Sequence, residues 1–328
     1  MSQQNVGILG TGSALPTRIL TNADLEKIVE TNDEWIVTRT GIRERRIAEA
    51  TESTSDFAAV ACQRALEQAG VAADEVDLVI CATVTPDMMF PSTASIIQDR
   101  IGATNAAAFD LSAACSGFLY GLSLAHAQVA SGQAKHVLVV AGDILSKITD
   151  YEDRSTCVLF GDGAGAVLVG PVAEGRGFLS FDLGSDGSGA KYLYMPGGGS
   201  RIPASSESVA NRQHFLRMEG QETFKFAVKA MTSSAEKVLE KAGLERTDID
   251  LMVPHQANIR IIEAARKRFG LSEDKVVVTI HKYGNTSASS IPIALDEAVR
   301  DGRAKPGDLI VMVGFGGGLT WGATAVRL

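Results

Sequence analysis

Part of this chain of 328 residues occurs twice. The segment ALEQAGVAADEVDLVIC, which begins at Ala65, resembles VLEKAGLERTDIDLMVP, which begins at Val238, 173 residues later. A second pair, SGQAKHVLVV from Ser131 and DGRAKPGDLIVMV from Asp301, repeats after 170 residues and has two residues inserted before the strand. A period this long is unsuited to a solenoid and predicts an α/β protein in which two copies of a whole unit pack about a pseudo-twofold axis.

Each copy of the repeat is typical of a helix closed by glycine, an acidic loop and a buried strand. We therefore predict an N-terminal half at residues 1–172 and a C-terminal half at residues 173–328. Loops at corresponding positions of the two halves can converge on one site. In the coordinates of the repeat, Cys115 falls at position 286, next to Asn285.

The composition is that of an ordinary globular enzyme, with 45% hydrophobic and 21% charged residues. A net charge of −8 argues against non-specific nucleic-acid binding, which depends on clustered Lys and Arg. The sequence has neither a signal-peptide pattern nor an apolar run of membrane-spanning length, so we expect a cytoplasmic protein without a membrane partner. Its four cysteines are widely spaced and contain no CxxC pair, which predicts neither a zinc site nor disulfides.

Two glycine-rich stretches invite comparison with nucleotide-binding loops. In NVGILGTGSALP, Gly10 and Gly12 are present, but Leu15 occupies the third glycine position and Pro16 follows it. The stretch GDGAGA, at residues 161–166, lacks the lysine of a phosphate-binding loop. We expect both stretches to serve close backbone packing rather than nucleotide binding.

A candidate nucleophile lies in the stretch from Ala106 to Gly132. A short apolar strand, a turn of small residues and an amphipathic helix are predicted there. Cys115 falls at the turn into the helix, where unpaired N–H groups and the helix dipole would stabilise a thiolate. The alternative is a small buried core residue, which is the commoner fate of a free cysteine.

Two further polar residues lie far along the chain. His255 follows Pro254 at the end of a predicted buried strand, and Asn285 stands in the sequence Gly-Asn-Thr-Ser. Each has an ordinary structural explanation, as a satisfied core histidine and as a turn residue. The triple glycine from Gly316 to Gly318 can likewise serve tight packing.

Four motifs follow one another along the chain: AACSGF at 113–118, PHQAN at 254–258, GNTSA at 284–288 and GFGGGLTWG at 314–322. In this order they resemble the β-ketoacyl-acyl-carrier-protein synthase III family of thiolase-like condensing enzymes. The early DEWIVTRTGIRER and the final TWGATAVRL also fit, so the resemblance covers nearly the whole chain. It implies a thiolase-like five-layered αβαβα fold built from two duplicated halves, a homodimer, and a catalytic site of Cys115, His255 and Asn285.

The resemblance also implies a reaction. Cys115 would accept the acyl group of a short acyl-CoA, most directly acetyl-CoA, while its own N–H and that of Gly317 hold the oxyanion. Malonyl carried on acyl carrier protein would then lose carbon dioxide, and His255 and Asn285 would donate hydrogen bonds to the enolate. The products would be 3-oxoacyl-acyl carrier protein, CoA and CO2, at the start of fatty acid synthesis. Neither a cofactor nor a metal is implied, because the CoA thioesters are substrates.

Other positions match family residues with binding roles. Phe90 is implied to reach across the dimer interface and close the partner's acyl pocket. For the arginines of the CoA site, a solvent-exposed ion pair is the ordinary alternative. The implied CoA-binding residues are Trp35, Arg39, Thr40, Arg154, Phe224 and Asn258; the acyl pocket comprises Phe90, Leu145 and Phe160; and Lys225 and Arg260 would dock acyl carrier protein.

Three other functions stay open at this point. A related condensing enzyme of secondary metabolism would use the same residues on another acyl donor or extender. A cysteine thioesterase could use Cys115 and His255, but it would normally have a group orienting the histidine. An idle acyl-binding or scaffold protein would not need all three catalytic residue types. The departures Ser116, where alanine is frequent, and His281, where aspartate is common, concern substrate range.

Overall fold

The structure is a computed structural model that describes residues 5–328. Two β-sheets dominate it, and two short strand pairs lie beside them. The strands are β1 (Val6–Ala14), β2 (Ile19–Thr21), β3 (Glu44–Arg46), β4 (Leu78–Ala82), β5 (Ala107–Leu111), β6 (Val137–Ile144), β7 (Asp162–Pro171), β8 (Gly177–Ser185), β9 (Leu193–Tyr194), β10 (Arg217–Met218), β11 (Leu251–Pro254), β12 (Leu309–Gly316) and β13 (Thr320–Arg327).

The helices alternate with these strands along most of the chain. They are α1 (Asn22–Leu25), α2 (Asp33–Thr40), α3 (Thr54–Ala69), α4 (Thr93–Ile101), α5 (Gly117–Ala130), α6 (Arg154–Cys157), α7 (Ser206–Ala210), α8 (Gly220–Ala242), α9 (Ile259–Phe269), α10 (Ile280–Tyr283) and α11 (Ser290–Arg300). Within the described residues, none of them combines the length and the apolar character needed to cross a bilayer.

The two main sheets have the same strand order. The first runs β1-β7-β6-β4-β5 and the second runs β8-β13-β12-β11. One corresponding pair is parallel in each sheet (β4 with β6, β11 with β12), and the remaining shared pairs are antiparallel. The counterpart of β5 is reduced to a single parallel bridge between Met252 and Val276. The proposed division between residues 172 and 173 falls between β7 and β8.

Three apolar cores separate five layers. Helices α3 and α4 cover the outer face of the first sheet, while α8 and α9 cover the outer face of the second. Helices α5 and α11 lie between the sheets and pack on both. Strand β4 shows the alternation that this requires, because Val79 faces the outer core and Ile80 the central one. The predicted αβαβα arrangement of two duplicated halves is confirmed.

The central helices begin with matching turns. Ala114 and Ser287 both have left-handed backbone angles, φ 45° and φ 57°, and they lie 173 residues apart. In each turn a serine two residues further on donates a hydrogen bond to the carbonyl three residues before it: Ser116 at 2.8 Å and Ser289 at 2.7 Å. The repeat therefore pairs Cys115 with position 288, which corrects the sequence-based position 286.

The glycine-rich strands serve close packing, as the sequence analysis expected. A Cβ atom on Gly10 would lie 2.3 Å from the Ala65 carbonyl oxygen of α3, and one on Gly12 would lie 2.2 Å from that of Ala61. Strand β7 contains all of GDGAGA except Gly161, and a Cβ atom on its Gly165 would lie 2.8 Å from the Ile293 backbone nitrogen of α11. The missing side chains let α3 lie directly on β1 and α11 lie directly on β7.

We expect Gly12→Ala to destabilise the protein, because the new methyl group must displace the α3 backbone. Overpacking of this kind costs about 1–3 kcal/mol. Gly187→Ala is the matched control, since nothing lies within 4 Å of a Cβ there. Urea unfolding should give a lower midpoint for Gly12→Ala alone, and equal midpoints for the two variants would contradict the packing account.

Candidate active site

Three elements bring the predicted catalytic residues to one cavity. Cys115 stands at the start of α5, His255 directly follows β11, and Asn285 precedes the turn into α11. All three are buried and line the same cleft. Other residues of its wall are Leu159, Phe160, Leu193, Met218, Thr223, Phe224, Ala257, Asn258, Ile261 and Phe315.

His255 is fixed as a neutral hydrogen-bond donor. Its Nδ1 lies 2.6 Å from the Ser290 hydroxyl, which also accepts the Gln256 N–H at 3.2 Å. Because the hydroxyl proton then has Nδ1 as its acceptor, we assign the ring proton to Nε2. Burial lowers the pKa of His255 to about 3, so the ring is uncharged near neutral pH.

Gln256 supports the histidine, and the sequence analysis did not single it out. Its amide nitrogen donates to the carbonyls of Pro254 (2.7 Å) and Val277 (3.1 Å). Its Oε1 accepts the N–H groups of Thr279 (2.8 Å) and Ile280 (3.1 Å). Four hydrogen bonds from one buried side chain hold the loop after β11. In the sequence, only the position of Gln256 next to His255 could have indicated this supporting role.

Asn285 presents one half of its amide to the cavity. Its Oδ1 accepts the Ser287 N–H at 2.9 Å, which leaves Nδ2 as the available donor. Its backbone is held on both sides, because its N–H donates to Leu159 (2.9 Å) and its carbonyl accepts from Gly161 (3.0 Å). The geometry suits the donor role that the resemblance implies.

Burial opposes the thiolate that the helix dipole would stabilise at Cys115. Burial raises the pKa of the Cys115 thiol to about 12; the Ser287 hydroxyl lowers it and the Asp143 carboxylate raises it. The argument from the helix dipole was local, whereas the loss of water around the sulfur is a property of the whole fold. Cys115 is therefore a neutral thiol in the free protein.

A second, largely apolar cavity meets the first at Cys115. Leu145 lines it, as predicted, together with Gly317 next to the nucleophile. A Cβ atom on Gly316 would lie 2.5 Å from the Cys115 backbone nitrogen, so only glycine lets the end of β12 approach the nucleophile this closely. The apolar wall of this second cavity comprises Val84, Leu145, Ile148, Leu193, Met195 and Leu216.

Two residues of the predicted acyl pocket lie elsewhere. Phe160 lines the first cavity, although it packs with Leu145 and Leu216 and so forms part of the partition between the two cavities. Phe90 is 84% exposed and lies in neither cavity of its own chain.

Most of the predicted CoA-binding residues cluster near the mouth of the first cavity. The guanidinium groups of Arg39 and Arg154 lie 5.0 Å and 5.1 Å from the Trp35 ring centroid. Asn258 donates to the Arg39 carbonyl at 3.0 Å and also lines the cavity, as does Phe224. This cluster joins cationic groups to an indole surface, which suits a phosphorylated nucleotide.

Thr40 does not join this cluster. It is buried at the end of α2, where its hydroxyl donates to the Ile36 carbonyl (2.7 Å) and accepts the Ile42 N–H (3.0 Å). Both hydrogen bonds join the Thr40 hydroxyl to backbone groups of neighbouring residues. The hydroxyl therefore helps to end α2 and does not face the cluster around Trp35.

The two predicted docking residues lie beside the mouth. The Arg260 guanidinium stacks 5.3 Å from the ring centroid of Phe224, which lines the first cavity. Lys225 is exposed on α8 and pairs with Glu222 at 2.8 Å. Arg260 is thus positioned at the cavity, while the charge of Lys225 is partly compensated.

Comparisons with known proteins identify the family of this chain. Residues 109–187 match the family described as 3-oxoacyl-[acyl-carrier-protein] synthase III, and residues 239–328 match its C-terminal counterpart. A β-ketoacyl-[acyl-carrier-protein] synthase III of Caldanaerobacter subterraneus subsp. tengcongensis is 60% identical over 98% of this chain and 97% of its own. The chain belongs to this family.

Solved structures support the same assignment to the synthase III family. The 3-oxoacyl-[acyl-carrier-protein] synthase III of Aquifex aeolicus superposes with a TM-score of 0.91 at 48% identity, covering 98% of this chain and 100% of that one. A priming β-ketosynthase from the R1128 polyketide pathway gives 0.92 at 40% identity, covering 99% and 97%. The thiolase-like fold is therefore confirmed. Among residues 5–328, no three His, Cys, Asp or Glu residues group as metal ligands would.

The raised pKa of Cys115 predicts that its thiolate is absent near neutral pH. The ultraviolet absorbance of thiolate, taken as the difference between the wild type and Cys115→Ala, should stay flat up to about pH 9, because a thiol of pKa about 12 is almost fully protonated there. A titration step centred below about pH 8 would restore the thiolate that the helix dipole suggested.

Proposed function

We propose that the protein catalyses the decarboxylative condensation of a short acyl-CoA, most directly acetyl-CoA, with malonyl-acyl carrier protein. The products are 3-oxoacyl-acyl carrier protein, CoA and CO2, and the reaction initiates fatty acid synthesis. One observation carries the proposal: Cys115 lies where two cavities meet, and the first of them also contains His255 and Asn285. Family membership at 60% identity to a named synthase supports it.

The first half of the reaction loads Cys115. Its sulfur attacks the thioester carbonyl carbon, a new carbon–sulfur bond forms, and CoA leaves as its thiolate. The backbone N–H groups of Cys115 and Gly317 stabilise the oxyanion of the tetrahedral intermediate. The apolar cavity beside Leu145 then receives the acyl chain, and the CoA channel is vacated for the second substrate. The kinetic order is therefore ping-pong.

The second half extends the chain. Loss of CO2 from malonyl-acyl carrier protein leaves an enolate, whose oxygen accepts hydrogen bonds from His255 Nε2–H and Asn285 Nδ2–H. The carbanion attacks the acyl-Cys115 carbonyl, and the sulfur leaves. Because decarboxylation itself generates the carbanion, two neutral donors suffice where a strong base would otherwise be needed. No bound cofactor or metal takes part in this scheme.

A related condensing enzyme of secondary metabolism is the second candidate, favoured by the likeness to a priming β-ketosynthase of a polyketide pathway. A thioesterase fits less well, because His255 Nδ1 meets the neutral Ser290 hydroxyl instead of an orienting carboxylate. Steady-state assays with acetyl-CoA and malonyl-acyl carrier protein separate the candidates. A ketoacyl product supports the proposed function, free acid indicates a thioesterase, and no turnover with malonyl-acyl carrier protein favours another extender.

We also propose that the protein forms a homodimer in the cytoplasm, where both carrier substrates are found. Strand β5 lies at the edge of the first sheet, and Phe109 on it is exposed. Met88, Met89 and Phe90 form a further exposed apolar run in the loop after β4. An open strand edge and exposed apolar side chains are features that a partner subunit would cover.

Separate substitutions should divide the two half-reactions. Cys115→Ala removes the acyl acceptor, so condensation should fall to background while malonyl-acyl carrier protein still releases CO2. His255→Ala or Asn285→Ala removes one enolate donor and should slow decarboxylation roughly 10²- to 10³-fold. Radiolabelled acetyl-CoA should still label these two variants. If Cys115→Ala abolishes decarboxylation yet binds CoA normally, the thiol itself takes part in enolate formation.

Reversal of charge at the cavity mouth should slow the encounter with acidic acyl carrier protein. We expect Arg260→Glu to raise the KM for malonyl-acyl carrier protein at low salt, with less difference at high salt because the ions screen the charges. Lys305→Glu is the control, since Lys305 is exposed beyond the opposite end of α11. An Arg260→Glu KM equal to that of the control would place the docking surface elsewhere.

A further inference from the structure

Asp143 is a fully buried carboxyl group to which the mechanism above gives no role. It lies near the end of β6, and none of the groups that donate a hydrogen bond to it is a cation. Its Oδ1 accepts hydrogen bonds from two hydroxyls and two N–H groups of the segment after β4. These donors are Thr83 Oγ1 (3.0 Å), Val84 N–H (2.8 Å), Thr85 N–H (3.2 Å) and Thr85 Oγ1 (3.1 Å).

The other oxygen, Oδ2, is buried and has no hydrogen bond of normal geometry. Burying a carboxylate without a cation or a full set of donors is costly, so such a group calls for an explanation. The uneven division is informative: four donors crowd Oδ1, and Oδ2 is left as the atom that can take up a proton.

Ser287 connects this carboxyl group to the nucleophile. The turn at Ser287–Ser289 packs against both β6, which carries Asp143, and the turn that carries Cys115. The Ser287 hydroxyl lowers the pKa of both the Asp143 carboxyl and the Cys115 thiol. Ser287 has a left-handed φ of 57°, which is unusual for a residue with a side chain. Ser287 and Cys115 also line the same acyl cavity.

We propose that Asp143 holds the proton of Cys115 during the catalytic cycle and that the Ser287 hydroxyl relays it. The proposal rests on the proposed function. As the sulfur attacks the acyl-CoA, the thiol proton moves to Ser287 Oγ and the Ser287 proton moves to Asp143 Oδ2. When condensation expels the Cys115 thiolate, both protons return along the same path. CoA leaves as a thiolate and takes its proton from water, so every proton in the cycle is accounted for.

The alternative proton acceptor is poorly suited. Burial lowers the pKa of His255 to about 3, and its Nδ1 already accepts from Ser290. Burial raises the pKa of Asp143 instead, which makes its carboxylate the stronger base of the two. Cys81 on β4 also interacts electrostatically with Asp143, and with Asp87 and Asp110, but burial raises the pKa of that thiol well above its ordinary value.

Two variants remove the relay with little disturbance. Asp143→Asn keeps an oxygen to accept the four hydrogen bonds but cannot take up a proton. Ser287→Gly removes the hydroxyl and tolerates the left-handed backbone. Ser289→Ala is the matched control, because it loses a buried hydroxyl from the same turn whose bond goes to the Thr286 carbonyl.

We expect single-turnover labelling by radiolabelled acetyl-CoA to slow roughly 10²- to 10⁴-fold in both relay variants. Their labelling rates should rise about tenfold per pH unit, because hydroxide must replace the relay, while the wild type and Ser289→Ala change little with pH. Decarboxylation of malonyl-acyl carrier protein should stay within about twofold of wild type in Asp143→Asn and Ser289→Ala, because it needs no thiol proton transfer. Ser287→Gly is compared by labelling alone, since the Ser287 N–H also holds the enolate donor Asn285. Wild-type labelling rates in the relay variants, or an equal loss of decarboxylation in Asp143→Asn, would overturn the proposal.

A second electrophile separates this proposal from the function on which it rests. Iodoacetamide alkylates Cys115 whatever the natural substrate is, and the relay predicts that alkylation slows and becomes steeply pH-dependent in Asp143→Asn and Ser287→Gly alone. If the wild type fails to accept acetyl from acetyl-CoA, the proposed function is wrong. The iodoacetamide experiment still tests the proton relay in that case. Alkylation profiles that match wild type would then overturn it.

Discussion

The placement of α5 and α11 between the two sheets, with each helix packed on both, is the constraint from which the site follows. A Cβ atom on Gly117, the first residue of α5, would lie 3.0 Å from Cβ of Ala82 and 3.8 Å from Cβ of Ala288. Both helices are covered by sheet on either side, so their first turns must meet at the centre of the molecule. Cys115 and Asn285 stand at those turns, and β11 delivers His255 to the same place. Because the two copies of the unit pack together, three residues that are distant in the sequence meet without a long loop to carry them.

Burial then sets the electrostatic character of the site. It moves two pKa values in opposite directions, that of His255 down to about 3 and that of Cys115 up to about 12, and both shifts favour the uncharged form. An active site of this kind relies on oriented N–H donors, whose strength grows in a dry environment. The hydrogen bonds that orient them, from Ser290 to His255 and from Ser287 to Asn285, are as much part of the machinery as the groups themselves.

The sequence predicted the architecture and the three catalytic positions because both rest on patterns along the chain: a repeat and four ordered motifs. It failed where the outcome depends on surroundings that a motif does not encode. The helix dipole favours a thiolate at Cys115, and only the whole fold shows the desolvation that opposes it. Thr40 lies in a matching motif, yet its helix turns it inward. Gln256 and Asp143 are ordinary residues in the sequence, and only burial among specific partners gives them importance.

The missing fifth strand of the second sheet has a consequence for the histidine. In the first half, backbone hydrogen bonds along β4 and β5 hold the sheet edge. In the second half, the corresponding segment makes one bridge at Val276, and the Gln256 side chain takes over with bonds to residues 277, 279 and 280. The edge of this sheet is thus fastened by the neighbour of His255. A disturbance of residues 276–280 reaches the catalytic ring through the Gln256 side chain and one backbone hydrogen bond from Val277 to Met252, whereas the same disturbance in β5 is spread along a ladder.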